Sequence, residues 1–306
     1  MKNVGLPLSS AQASSLNLRQ SLRYQRRRVV RRIELAYARV ATWIPESFPH
    51  FMCIGAPRAA TTWLYTELVT DPRIFLPKQK ELHFYDERQR SFPDDESELR
   101  WQRSFYFDVD EAASQRWYWY QFRHAAPEQL RGDITPVYSL QSRDRVQCIR
   151  KHIPDLRIIY IMRNPVERAW SGLRKTVWYQ KGKSYLADLD EEWLQKTIMR
   201  PEVLARGDYQ RAIQTWESVF PRSQICYLFY DDIRSNANGV LDNVYVFLGL
   251  PPQLGRSERS PSRAVNAAQN REMPESVRVS LERHYAGQIG FLQNHFGRDL
   301  SHWLSG

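Results

Sequence analysis

The chain has 306 residues, 42% of them apolar and 25% charged, the balance of a soluble globular protein. Its formal net charge is +10, but nine lysines and arginines against Glu34 and Glu46 put +7 of that in residues 1–48. The remainder is close to neutral, which excludes a uniformly basic nucleic-acid-binding domain, and no specific nucleic-acid partner is expected. No run of 18 apolar residues occurs and the first twenty residues lack an apolar leader pattern, so neither a membrane span nor a secretory signal is expected. Cys53, Cys148 and Cys226 stand singly without metal-like spacing, as reduced residues of a cytoplasmic protein would.

Residues 1–17 are small and polar and are expected to be disordered. Between Leu18 and Ile44 a helical period runs through Val29 or Val30, Ile33, Ala36 or Tyr37, Val40 and Trp43 or Ile44, with arginines on the other faces. Two readings follow. The helix docks its apolar side on the domain, or it lies peripherally on an anionic membrane at the inner surface. Pro45 and Pro49 close this arm, dividing the chain into a basic arm, 1–48, and a catalytic domain, 49–306.

The domain opens with an apolar strand, Phe51 to Gly55, a turn at Pro57 and Arg58, and a helix started by Thr61 and Thr62 with Trp63, Leu64 and Leu68 on one side. Strand, tight loop and helix N-terminus together offer backbone N–H groups and a positive dipole end to an anion. Asp71-Pro72 stops the helix, Ile74 to Leu76 is a short strand, and an aromatic run ending at Trp117–Tyr120 fits a core helix better than a sugar-stacking surface. Gly132-Asp-Ile-Thr-Pro-Val-Tyr138 follows a strand or turn, and 143–153 is helical. Leu156–Met162 and Gln224–Tyr230 are near-continuous apolar strands of the buried parallel kind, whereas 175–206 gives few clear signals. Helices are expected over 209–220, 240–250 and the tail from Pro274. Alternating strands and helices imply an α/β fold with a central, mostly parallel sheet flanked by helices.

The anion can be narrowed. A nucleoside-triphosphate loop needs a Gly-Lys pair before its hydroxyl; here Gly55 is followed five residues on by Ala60, then Thr61 and Thr62. The second buried strand runs into Arg163, where such enzymes often carry a metal-binding aspartate, so phosphate is bound directly and no metal is expected. Two phosphate-friendly loops suggest a nucleotide with two separate phosphate groups, Arg163 and Ser171 closing on one of them.

Gly55-Ala-Pro-Arg-Ala-Ala-Thr-Thr62 resembles the 5′-phosphosulfate loop of PAPS-dependent sulfotransferases, and Arg163-Asn-Pro-Val-Glu-Arg-Ala-Trp-Ser171 resembles their 3′-phosphate motif. Lys80-Glu-Leu-His-Phe-Tyr-Asp86 and Gly132 to Tyr138 look like the acceptor-side segments of the heparan-sulfate-type and bacterial branches. The resemblance extends over about residues 50–304 and implies the P-loop-like sulfotransferase fold, with PAPS (3′-phosphoadenosine 5′-phosphosulfate) as co-substrate. It places Arg58, Ala59, Ala60, Thr61, Thr62, Trp63, Arg163, Ser171 and Arg271 around the donor. Glu81 is the first choice for the base that takes the acceptor's proton and His83 the second; two apart on an extended segment they share a face, with Lys80 turned away. Asp133 and Thr135 are further acceptor-side candidates, and the loop holding Arg263 and Arg271 either covers the nucleotide or is an exposed basic loop. The family's usual loop lysine is Arg58 here, and its Ser-Gly is Ala59-Ala60, which asks for ordinary helical or extended backbone at residue 60. The expected acceptor is a hydroxyl or amine on a glycan, glycolipid or small metabolite. A magnesium-dependent small-molecule kinase and a non-catalytic membrane- or polyanion-binding protein are the alternatives.

Overall fold

The computed structural model describes residue 26 and residues 29–86, 107–181, 189–252 and 272–304. Five strands, β1 (Phe51–Gly55), β2 (Ile74–Phe75), β3 (Leu130–Ile134), β4 (Arg157–Met162) and β5 (Ile225–Phe229), form one sheet in the order β2-β3-β1-β4-β5. All neighbours are parallel, with Phe51 opposite both Gly132 and Arg157, and Ile158 opposite Ile225. The chain leaves β1 toward one edge, returns through β3, then crosses over β1 to β4. That reversal puts the carboxyl ends of β1, β3 and β4 side by side, the usual place for a ligand in an open α/β sheet. Gly132 lies within β3, not after it. A Cβ there would stand 2.2 Å from Phe51 Cζ, so only glycine lets the Phe51 ring lie across the neighbouring strand.

The helices are α1 (residues 29–40), α2 (Thr61–Leu68), α3 (Ala112–Tyr120), α4 (Arg143–His152), α5 (Pro165–Lys181), α6 (Glu191–Ile198), α7 (Pro201–Leu204), α8 (Tyr209–Glu217), α9 (Tyr230–Ser235), α10 (Ala237–Phe247) and α11 (Glu275–Phe296). Much of 175–206, which gave few signals, is thus helical: the end of α5, then α6 and α7, packs with α11 or α5. The tail is one long helix, stopped by Gly297 in the left-handed region (φ 59°), then Arg298 forks onto Asp232 with two 2.6 Å bonds. Strands β1 and β4 are sealed on both faces; Phe51, Met52, Cys53 and Ile158 to Met162 are buried, as their unbroken apolar sequences require. Trp117 and Tyr118 of α3 are also buried, as expected of a core helix. All three cysteines are free thiols. No helix among the described residues is long and apolar enough to cross a membrane.

Helix α1 rests on the domain, but not on the side its periodicity indicates. Ala38, Ala41, Ile44 and Arg31 are buried, while Ile33, Val40 and Trp43 are 63%, 76% and 64% exposed. Polar bonding and aromatic contact decide the orientation. The Arg31 guanidinium lies 5.0 Å and 4.8 Å from the centres of the Phe107 and Trp117 rings and donates to the Leu82 carbonyl. Glu34 accepts from Trp117 Nε1 (3.1 Å), and the Ala38 carbonyl accepts from Arg116 Nε (2.7 Å).

Candidate active site

The loop after β1 reverses the chain into α2 with Ala56 N–H donating to the Ile161 carbonyl and Ala59 N–H to that of Ala56. The expected ordinary backbone at residue 60 is overturned: Ala60 has φ 63° and ψ 16°, and Arg58 has φ 72°. The turn from strand to helix needs left-handed residues at both points, and an L side chain accepts this at a cost of roughly 1–2 kcal/mol each. Ala60 is also the N-cap of α2. Having no polar side chain, it leaves the first-turn N–H groups without a side-chain cap. Trp63 Nε1, in that same turn, is buried with no partner among the described residues.

Arg58 Nε donates to Ser171 Oγ (3.1 Å), and Arg163 Nη1 donates to the Arg58 carbonyl (3.3 Å). The two motifs, more than a hundred residues apart, therefore meet at one rim. Arg163 follows β4 directly; its backbone is clamped by Tyr209, whose hydroxyl donates to the Arg163 carbonyl (2.7 Å), and its guanidinium lies 4.7 Å from the Tyr230 ring centre. Asn164 caps α5 by accepting from Val166 N–H (2.9 Å) and holds the Trp303 carbonyl with its amide (3.0 Å), so the C-terminal segment braces this corner.

Lys80 does not turn away. Its Nζ lies 3.3 Å from both Thr61 Oγ1 and Thr62 Oγ1 and 3.1 Å from Glu81 Oε1. The reason is that 80–83 is not extended: Glu81 and His83 have φ 67° and 58°, and Leu82 between them is buried. Glu81 and His83 still reach the same place, with His83 Nε2 3.6 Å from Glu81 Oε2 and His83 Nδ1 2.8 Å from Asp86 Oδ2. Burial works against charge on His83, yet the Asp86 and Glu81 carboxylates outweigh it and push its pKa up to about 9. Burial likewise opposes ionisation of Glu81, but the His83 hydrogen bond and the Lys80 charge hold it far below the usual carboxylate range. At neutral pH, then, Glu81 is a carboxylate between two cations and His83 already carries its proton.

Asp133 and Thr135 face the core rather than an acceptor. Asp133 is buried and accepts from Thr135 Oγ1 (2.7 Å), Tyr118 OH (2.9 Å) and Tyr138 OH (3.1 Å). Thr135 Oγ1 in turn accepts from Leu82 N–H (3.0 Å), and Tyr138 OH from Phe84 N–H (3.0 Å). This hub holds the 80–86 segment from beneath and turns Glu81 and His83 outward. Lys175, one turn beyond Ser171 on α5, was not singled out in the sequence. Burial and the Arg58 charge lower its pKa, and Glu81 and Lys80 also act on it. The i, i+4 spacing from Ser171 was the available signal. Arg263 and Arg271 lie outside the described residues.

Residues 49–253 match the model of the sulfotransferase family. The chain belongs to that family. Among its curated relatives, the bifunctional heparan sulfate N-deacetylase/N-sulfotransferase 4 of Mus musculus is 25% identical over 235 residues, covering 70% of this chain and 24% of the relative. The human N-deacetylase/N-sulfotransferase 3 is 24% identical over 239 residues with the same coverages. The chain thus spans about a quarter of the length of these relatives. The crystal structure of a sulfotransferase from Alicyclobacillus acidocaldarius superposes with a TM-score of 0.63 at 24% identity, covering 84% of this chain and 99% of that one. STF9 from Mycobacterium avium superposes at 0.51 with 15% identity, over 84% and 80%. The fold is that of the P-loop-like sulfotransferases. The match favours a sulfotransferase over the small-molecule kinase alternative.

Proposed function

We propose that this sulfotransferase takes its sulfuryl group from PAPS and delivers it to a hydroxyl or amine of a carbohydrate acceptor, with Glu81 receiving the acceptor's proton. The observation carrying the reading is the position of Lys80, which touches the Thr61 and Thr62 hydroxyls on one side and Glu81 on the other. The residues fit the donor: N–H groups without a side-chain cap at the start of α2, two hydroxyls, Arg58 and the Trp63 indole, which has no partner among the described residues, suit a 5′-phosphosulfate, and Arg163 with Ser171 suits a 3′-phosphate. When bound, PAPS supplies a sulfuryl group activated as a mixed anhydride.

The chain's own residues do the rest. Arg58 and Lys80 present positive charge fixed in place before reaction, where negative charge on the leaving phosphate is stabilised. An anion on Thr61 and Thr62 competes with Glu81 for Lys80. Drawing that cation away raises the proton affinity of Glu81, so donor binding and the readiness of the base are linked through one ammonium group. His83, protonated and pinned by Asp86, orients Glu81 instead of serving as the base. The carbohydrate acceptor rests on the relatives named for heparan sulfate N-sulfotransferase activity.

Thermal-shift measurements with 3′,5′-ADP against ATP plus magnesium test the donor, the first alone being expected to stabilise the protein. Arg163→Ala should weaken 3′-phosphoadenosine binding far more than adenosine 5′-phosphosulfate binding; an equal loss for both would remove Arg163 from the 3′-phosphate. Mass-spectrometric detection of sulfated products from a carbohydrate-containing extract tests the acceptor, and products confined to non-carbohydrate molecules would refute that part.

A further inference from the structure

The orientation of α1 leaves most of its apolar side exposed among the described residues, with Tyr37 at the border touching the domain through the Tyr120 ring (5.5 Å between centres). Nine large hydrophobic residues are exposed among the described residues, and six of them, Val29, Val30, Ile33, Tyr37, Val40 and Trp43, belong to this one short segment. Scattered singly on a surface such residues would call for no explanation; gathered on one face they mark a docking surface. At 3.6 residues per turn Val29, Ile33 and Val40 form the centre of the stripe, with Val30 and Tyr37 along one border. Arg32 and Arg39 lie along the other border, both exposed, and Arg26, itself helical, is exposed as well. The opposite side is already committed through Arg31, Glu34, Ala38 and Ala41.

We propose that α1 docks the protein on an anionic lipid bilayer, lying in the interface plane with the Val29–Ile33–Val40 stripe and Trp43 entering the acyl boundary and the arginines meeting anionic headgroups. Charge complementarity selects this occupant. Residues 1–48 carry nine basic side chains against two acidic ones, so a second copy meeting the stripe face to face would bring two like-charged arms together. An anionic bilayer instead attracts basic residues beside an apolar stripe, and it accepts tryptophan and tyrosine at headgroup depth. This goes beyond sulfuryl transfer and stands on surface residues that take no part in it.

The test is cosedimentation of the full chain with phosphatidylcholine vesicles and with vesicles containing phosphatidylglycerol. Binding to the anionic vesicles should exceed that to neutral ones by about tenfold or more and fall with added salt. The double variant Ile33→Asp/Val40→Asp, at exposed positions, should keep the wild-type melting temperature and lose about tenfold or more of the vesicle affinity. Arg32→Gln/Arg39→Gln should lower affinity and flatten its salt dependence. Three results would overturn the proposal: no binding of wild type to anionic vesicles; undiminished binding by the Asp double variant, which would assign it to the basic residues alone; or self-association of wild type, abolished by that variant, in place of vesicle binding. Binding to heparin with no binding to vesicles would equally reassign the face to a soluble polyanion.

Discussion

The protonation state of His83 is open to direct measurement through stability. Its pKa is raised from an ordinary 6.5 to about 9, because the Asp86 and Glu81 carboxylates outweigh the penalty of burial, and its side chain is only 13% exposed. A pKa raised on folding contributes stability that is complete below the unfolded value and disappears as pH climbs through the folded value. The window is therefore pH 6.5 to 9. At about 1.4 kcal/mol per pKa unit, the shift is worth about 3 kcal/mol at pH 6 and close to nothing at pH 9.5. Urea denaturation of wild type and His83→Gln across this range should give a difference that shrinks steadily with rising pH. His50 and His152 have lowered pKa values and titrate below the window, and subtracting the variant removes the other groups. A difference constant from pH 6 to 9.5 would refute the reasoning. It would mean that His83 titrates normally, and would restore it as a candidate base.

Lys80→Met should lower kcat by about 10²-fold through loss of one fixed cation, and should shift the acidic limb of the pH–rate profile to higher pH as Glu81 loses a partner; an unmoved limb would detach Lys80 from Glu81. Asp133→Ala leaves three buried hydroxyls without their acceptor and should cost about 3–5 kcal/mol, while Asp133→Asn, which keeps the shape and one acceptor oxygen, should cost about 1–2 kcal/mol. Equal denaturation midpoints for the two variants would contradict the hub. At residue 60 the stability order should be Gly at least equal to Ala, and Val lower by about 2 kcal/mol, since a branched side chain resists positive φ; thermal melts that tolerate valine would rule out the left-handed turn.

The apolar strands beginning at Phe51 and Leu156 were legible because burial on both faces writes itself as an unbroken hydrophobic run, and the structure places β1 and β4 there; β5 follows the run from Gln224 at the sheet edge, with Cys226 and Tyr227 half-buried. The meeting of Arg58, Arg163 and Ser171 was legible as two motifs, though their contact depends on the crossover past β1. Four features were hidden, the first two for a shared reason. Left-handed backbone at Ala60, Glu81 and His83 has no glycine to announce it. Lys80 entered the site because those same angles broke the two-residue alternation on which its exclusion rested. Of the two readings of α1, the one that docks its apolar side on the domain fails because periodicity weighs apolar atoms alone. Arg31 and Glu34 are seated by aromatic rings and hydrogen bonds that only the folded neighbours provide. Asp133 looked like a site residue by its company in sequence, and nothing local reveals that Tyr118, from another element, would bury it.

The bond from Arg31 to the Leu82 carbonyl bears on where this protein can be shortened. The family match begins at residue 49, which invites a cut in front of it. Such a cut would strip the cover from Trp117 and Phe107, remove the acceptor of the Trp117 indole and the carbonyls that hold the Arg116 guanidinium, and free the carbonyl that lies between Glu81 and His83. A truncated form that had lost turnover would then report a loosened loop and not a missing targeting signal. Shortened forms that retain residues 29–48 keep the two effects apart.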